Sequence, residues 1–286
     1  MKALSPSRIM LLTILAMLAF AGNSLLCRIA LKHTEIDAVS FTSIRLISGA
    51  LMLWLIVWWR GERIGMRGSW FASLALFTYA ICFSIAYTSL STGTGALLLF
   101  GSVQITMISY GLWTGERLQS PQILGLILAL VGLIALLFPG LTTPPLLSSL
   151  LMVGAGIAWG IYSLLGKGVA NPIQATASNF LRAVPFAIGL SVSTFHQMRL
   201  DLAGGGYAVA SGAIASGMGY AIWYYALPGL KATQAAVVQL SVPVLAALIA
   251  IPLLQELITL RLGLATISVL SGIALVMHQQ HKPQPS

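Results

Sequence analysis

Charge is what this chain has least of. Of its 286 residues, 7% are Asp, Glu, Lys or Arg, against about 25% in soluble globular proteins. Acids are scarcest: Glu35, Asp37, Glu62, Glu116, Asp201 and Glu256 are all there are. A water-facing surface cannot be made from so few charges, so the solvent around most of the protein is expected to be lipid. The two cysteines, Cys27 and Cys82, lie inside apolar segments, which argues against a disulfide or a metal site and for small buried hydrophobes. No phosphate-binding glycine loop is present, so this chain is not expected to hydrolyse ATP. His-x-x-His, Asp-rich and Ser/His/Asp sets are missing as well, which removes the usual equipment of a membrane-embedded enzyme. No cofactor is expected.

What remains is overwhelmingly apolar, 58% of the chain. A membrane helix needs about 20 mostly apolar residues. Breaking the sequence at charges, prolines and glycine clusters predicts ten spans, at 9–31, 38–59, 69–90, 94–114, 120–138, 147–167, 174–195, 206–228, 232–254 and 260–278. The expected fold class is therefore an all-α polytopic membrane protein. Ala19-Phe20-Ala21 resembles a signal-peptidase site after Lys2 and Arg8. The run from Arg8 to Ala30 is nevertheless long enough to span and has a counterpart later in the chain, so it is read as the first helix.

The net charge of +9 follows the positive-inside rule better than it suggests nucleic acid. With the N-terminus inside, Lys2, Arg8, Arg60, Arg63, Arg67, Arg117, Lys167, Lys231 and Lys282 fall on the inner side. Arg28, Lys32, Arg199 and Arg261 fall outside. An inner-membrane protein with both termini cytoplasmic is expected, with the lipid bilayer and a small-molecule substrate as partners, as monomer or homodimer.

The second half repeats the first. Ser24-Leu25-Leu26-Cys27-Arg28 parallels Ser163-Leu164-Leu165-Gly166-Lys167, and Arg45 parallels Arg182. Tyr87 and Leu90 parallel Tyr224 and Leu227; Glu116 and Gly132 parallel Glu256 and Gly272. This divides the chain into repeats at 1–140 and 146–280, with a cytoplasmic tail at 281–286. Five spans per repeat is an odd number, so the halves are expected to insert head to tail. Inverted repeats underlie many secondary transporters, whose halves exchange roles to open a central site to alternate sides. A membrane enzyme has no general need of that symmetry, and a non-transporting assembly subunit has no need of two complete halves.

These residues are also where the chain resembles a known family. Phe20-Ala21-Gly22 and Ala158-Trp159-Gly160, Ile44-Arg45-Leu46 and Leu181-Arg182-Ala183, and Gly115-Glu116-Arg117 and Gln255-Glu256-Leu257, with a trailing Gly-rich helix ending each half, are similar to the EamA type of the drug/metabolite transporter superfamily. The resemblance spans nearly the whole chain. It implies a cavity lined by spans 1, 3, 4, 6, 8 and 9, and export of amino acids or related metabolites. Phe20 stands where the family often has Trp, and Gln104 has Pro243 as its repeat partner.

Candidate substrate-binding residues follow from spacing and polarity. Tyr79, Phe83 and Tyr87 share one helix face, matched by Ser216, Tyr220 and Tyr224. Trp159 and Tyr162 match Phe20 and Asn23. Such faces are either a cavity wall for a small zwitterion or amphipathic solute, or aromatic packing. Tyr110, Trp113, Trp54, Trp58 and Trp59 read as interface belts. Asn23, Gln104 and Gln239 lie deep in apolar spans, where an unpaired amide is costly; each must bond another helix or face a wet cavity. Arg45 and Arg182 lie inside spans, and such charges usually have partners. Topology allows two cross-half pairs, Arg45 with Glu256 outside and Arg182 with Glu116 inside, acting as alternate gates; snorkelling to the interface is the alternative. No acid lies mid-span, and His33, His196, His278 and His281 are terminal, so coupling through a mid-membrane carboxylate is not expected. Pro185, Pro243 and Pro252 predict kinks, and Gly154, Gly156, Gly160, Gly212, Gly217 and Gly219 predict close helix approach.

Overall fold

A computed structural model describes residues 5–62, 68–90, 92–137, 145–254 and 260–278. Every regular element among the described residues is helical: α1 (Pro6–His33), α2 (Ala38–Trp59), α3 (Trp70–Ser89), α4 (Thr92–Trp113), α5 (Ser120–Leu137), α6 (Leu146–Gly166), α7 (Pro172–Ser193), α8 (Leu202–Ala210), α9 (Gly219–Ala226), α10 (Ala232–Val238), α11 (Ser241–Leu254) and α12 (Leu260–His278). Four of them, α1, α2, α3 and α6, are long and apolar enough to cross a membrane by length and composition. Outward-facing leucines, isoleucines and tryptophans coat the bundle; Trp59 is 90% and Trp113 is 86% exposed. In water such a surface would aggregate; in lipid it is the solvated face.

Local chemistry sets the helix starts. Asp37 accepts the amides of Val39 and Ser40, both at 2.9 Å, and so caps α2. Asn171 accepts Gln174 N at 3.2 Å with Pro172 at the first helical position, where proline's missing N–H costs nothing. Asp201 caps α8 by accepting Gly204 N at 3.2 Å. That cap starts the helix at Leu202, earlier than the glycines at 204–206 suggest.

The eighth and ninth predicted spans depart from plain helices. A π-helical segment, Ser211–Met218, joins α8 to α9 without a break. The ninth is interrupted at Gln239 and Leu240, between α10 and α11. The cause is Pro243. It has no N–H, and its ring crowds the carbonyl of residue 239. Tighter bonds replace the α-helical ones there: Gln239 N to Ala236 O at 3.1 Å, Leu240 N to Val237 O at 3.0 Å and Val242 N to Gln239 O at 3.1 Å.

Side-chain contacts fix helix directions. α2 and α7 run antiparallel: Ser43 meets Ser191 at 2.8 Å, while Gly49 faces Phe180. α5 and α12 run antiparallel, with Gly125 against Gly272 and Gly132 against Ser268. α1 opposes the 202–226 run, as Asn23 bonds Ser211 and Phe20 packs on Tyr220. α4 and α6 run parallel, Gly156 meeting Leu99 and Gly160 meeting Thr106. α2 runs parallel to the π segment, with Arg45 at Gly212 and Gly49 at Gly217. α3 runs parallel to α7, since Ser69 meets Asn179 and Phe77 meets Phe186.

The α5–α12 seam depends on two glycines. A Cβ on Gly125 would stand 2.6 Å from the Gly272 carbonyl oxygen, and a Cβ on Gly272 would strike the Gly125 carbonyl in return. Gly272→Val is expected to cost about 1–3 kcal/mol by overpacking, read as a lower melting temperature in detergent. Gly263→Ala, with nothing within 4 Å of its Cβ position, is the matched control.

Candidate functional site

The centre of the bundle is an aromatic box around Trp159. Its ring lies 4.8 Å from Tyr220, 5.0 Å from Tyr79 and 5.3 Å from Phe20, centroid to centroid. Phe20 in turn meets Tyr220 edge-on at 5.5 Å. Trp159 is oriented by one bond, its Nε1–H donating to Gln239 Oε1 at 2.6 Å. Gln239 sits at the break between α10 and α11. Its Nε2 returns to Ala235 O at 2.9 Å and touches Met107 Sδ at 3.4 Å. The proline-induced break thus positions the amide that holds the indole.

A narrow cavity of about 30 Å³ opens against this box, lined by Phe20, Asn23, Tyr79, Phe83, Trp159 and Gln239, with Ser24, Leu99, Phe100, Tyr220 and Val242 completing it. That is room for about one water, far below the roughly 300 Å³ of a small ligand pocket. Asn23 faces it from α1, with Oδ1 accepting from Ser211 Oγ at 2.6 Å. Six of the ten expected binding residues therefore meet at one place. Tyr87, Gln104, Tyr162 and Tyr224 do not line it. Tyr87 packs on Phe83 at 4.7 Å and against Gly95. Gln104 donates to Ala236 O at 2.6 Å, tying α4 to α10. Tyr224 donates to Tyr162 O at 3.0 Å and lines a separate cavity of about 160 Å³ with Gly68, Asn179 and Gly166. Phe20, Ser24, Leu99, Phe100 and Val242 were not among the expected binding residues. Phe20 was findable as the repeat partner of Trp159, whereas the small and aliphatic positions carry no sequence signal.

Arg45 stands behind the cavity wall. It is 1% exposed. Its Nε donates to Ser216 Oγ at 3.0 Å, and its Nη2 to Tyr220 OH at 3.0 Å and Tyr79 OH at 3.4 Å. It does not snorkel, because its length is spent crossing to the π segment. Glu256, its expected partner, lies outside the described residues. The inner pair is replaced in this conformation. Arg182 donates to the Gly68 carbonyl and stands 5.6 Å over Trp70. Glu116 instead caps α10, accepting Ala232 N at 2.7 Å, Thr233 N at 3.1 Å and Thr233 Oγ1 at 2.9 Å, with Lys167 Nζ 3.8 Å away. The start of a helix offers free amides and partial positive charge to a carboxylate, and here it supplies two amide bonds and a hydroxyl bond to Glu116.

Polar ties join the loops at both ends of the bundle. At one end Asp37 exchanges two backbone-directed bonds with Arg199, accepting its N–H at 2.9 Å and donating its own N–H to its O at 3.1 Å. At the other, Glu62 Oε2 accepts from Asn171 Nδ2 at 3.0 Å and Gln174 Nε2 at 2.8 Å. Asp37 and Asn171 are each the cap of the second helix of their half. Burial works against the charge of Asp37, yet the bonds from Ser40, Arg199 and Val39 more than offset it and hold its carboxyl below the ordinary range. Burial likewise opposes the charge of Glu116; the Ala232 and Thr233 amides, the Thr233 hydroxyl and Lys167 outweigh it. Among the described residues no group of three or more His, Cys, Asp and Glu side chains could hold a metal ion.

The sequence matches the EamA-like transporter family twice, over residues 7–138 and again over 146–278. The chain belongs to the EamA-like transporter family. A Pseudomonas aeruginosa protein named as uncharacterized is 58% identical over 271 residues, 94% of each chain. An uncharacterized transporter of Archaeoglobus fulgidus is 25% identical, covering 96% of this chain and 99% of that one. The uncharacterized transporter YoaV of Bacillus subtilis is 22% identical over 84% of this chain and 87% of its own length. A solved crystal structure superposes with a TM-score of 0.81 at 16% identity, covering 98% of this chain and all of that one, 100%; at that identity the likeness speaks for the fold. The protein is thus a helical multi-pass membrane protein of a transporter family, and family and relatives alike point to transport rather than catalysis.

Two outcomes follow from this geometry. Gln239→Leu strands the buried Trp159 N–H and is expected to cost about 1–3 kcal/mol; adding Trp159→Phe recovers part of it, measured by a double-mutant cycle of melting temperatures. The depressed carboxyls of Glu116 and Asp37 contribute stability that is full above their unfolded values, about 4, and is lost as pH falls through their lower folded values. An acid titration of thermal stability is therefore expected to fall below about pH 4, and Glu116→Gln to be less stable at neutral pH with a shallower acid decline.

Proposed function

We propose that this protein is a secondary transporter of a small metabolite, working by alternating access between two inverted five-helix halves. Taking 202–226 as one rod and α10 with α11 as another gives ten rods, five per half. The observation that carries the reading is how they pack. Exchanging each rod for its repeat partner turns the α1 contact with 202–226 into the α3–α6 contact, α2 on the π segment into α7 on α3, and α1 on α11 into α6 on α4. The α2–α7 and α5–α12 contacts map onto themselves. The opposed directions within these pairs favour an inverted relation, and the two separate family matches support the same division.

In this reading the box of Phe20, Asn23, Tyr79, Phe83, Trp159, Tyr220 and Gln239 is the solute path in a contracted state. The Asp37–Arg199 and Glu62–Asn171 ties are the gates at its two ends, taking the role expected of arginine–carboxylate pairs. Tyr87, Gln104, Tyr162 and Tyr224 support the walls. An aromatic, amide-bearing site suits amino acids or related compounds with an apolar side chain, moved outward across the inner membrane with both termini in the cytoplasm. Rocking needs about a tenfold larger cavity than the contracted one, and the proline break and the π segment are the places where helices can bend.

Counterflow of labelled amino acids in proteoliposomes tests this, with single-cysteine labelling at Glu35 and Arg117 to read the two faces. Saturable flux that Trp159→Ala lowers about tenfold or more, with the two cysteines labelled from opposite sides, is expected. A folded protein that moves none of a broad solute panel would instead favour an assembly subunit.

A further inference from the structure

Arg45 is a buried cation whose partners among the described residues are all neutral. No described carboxylate lies within ion-pair distance of it. Its Nη1 is buried and takes no hydrogen bond there. A charge removed from water without a counter-charge is costly, and intramembrane charges that persist usually serve a pathway or a ligand. Its surroundings are those of the cavity. The guanidinium carbon stands 5.4 Å from the ring centre of Tyr79 and 6.0 Å from that of Phe83. Tyr79, Phe83 and Tyr220 all line the cavity.

The hydrogen-bond polarity is one-sided. Tyr79 and Tyr220 accept from Arg45 and bond each other, which leaves the hydrogen of one hydroxyl to be given to something else. At the same wall, the amide oxygens of Asn23 and Gln239 already accept from Ser211 and Trp159. Among the described residues no acid lines the cavity. The site thus offers a hydroxyl donor and a nearby positive charge to an anion and, among the described residues, no carboxylate to an ammonium.

We propose that Arg45, with the hydroxyls of Tyr79 and Tyr220, is an anion-recognition point, and that the solute is an organic acid. Its carboxylate sits at the Tyr79 and Tyr220 hydroxyls, held by the positive charge of Arg45 behind them, and its apolar body sits among Phe20, Trp159 and Phe100. This deepens the transport reading for the same cavity and narrows its solutes to those that do not depend on an ammonium group.

Four probes share one branched apolar body and differ in charge: 4-methylvalerate, its neutral amide, leucine and isoamylamine. Phenylacetate and phenylacetamide repeat the acid-to-amide comparison with a larger body. Equilibrium dialysis on the full chain in detergent is expected to show saturable binding of an acid, with its amide and the amine weaker by about tenfold or more. Arg45→Gln is expected to weaken acid binding about tenfold or more, and Arg45→Lys less. Amide or amine binding equal to the acid, Arg45→Gln binding like the wild type, or no binding of either acid overturns the proposal. If Arg45→Gln fails to fold, the wild-type acid-to-amide ratio decides. Counterflow separates the two readings. Charge-selective binding without flux keeps the anion site and sinks transport, whereas flux indifferent to charge keeps transport and sinks the anion site.

Discussion

A bilayer interior offers no water to a polar group, so each one must find its partner within the protein. That constraint organises this molecule. Several of its deep polar side chains look across to the other half of the chain. Asn23 meets Ser211, Arg45 meets Ser216 and Tyr220, Gln104 meets the Ala236 carbonyl, and Ser43 meets Ser191. Apolar side chains cannot provide this register, because lipid tails are as good a solvent for leucine as another helix is. The hydrogen bonds therefore decide which helices meet, and at what depth.

Small residues decide how closely. Where α5 meets α12, and where α2 meets the π segment, glycines bring backbones together and leave no space for a Cβ. Dispersion contacts and shape hold those seams. The centre is built differently. Rings meet mostly tilted or edge-on, an arrangement that favours quadrupole contacts but leaves a gap. The helical irregularities gather around the same centre. The π segment supplies Ser216 to Arg45, and the break before Pro243 supplies Gln239 to Trp159. Closely packed seams beside an irregular centre suit a protein whose parts move against one another.

Some of the site was legible beforehand. Four-residue spacing put Tyr79 and Phe83 on one face, and their rings do pack together, 5.6 Å apart. The repeat matched Phe20 to Trp159 as equivalent positions, and the two rings lie 5.3 Å apart. The same stripe carries Tyr87 and Tyr224 beyond this cavity, Tyr87 packing on Phe83 and Tyr224 lining the separate one. The charges were the least legible. A sequence with two intramembrane arginines and few acids invites pairing them; Glu116 caps α10 in this structure, while Glu256, the expected partner of Arg45, lies outside the described residues. Neither a helix terminus nor a tyrosine advertises itself as an ion's partner in a one-dimensional reading.

Composition and periodicity determined the solvent and the helical class, and repeated motifs carried the duplication and the family resemblance, because each is a property of residues near one another along the chain or repeated at a fixed offset. Only the tertiary structure decided what surrounds Arg45, what the polar groups at the break in the ninth span reach, and which aromatics share a cavity. Those depend on distances between segments more than a hundred residues apart, such as Arg45 and Tyr220 at 3.0 Å. Such distances are set by how all the helices pack at once, and no single helix carries them in its own sequence.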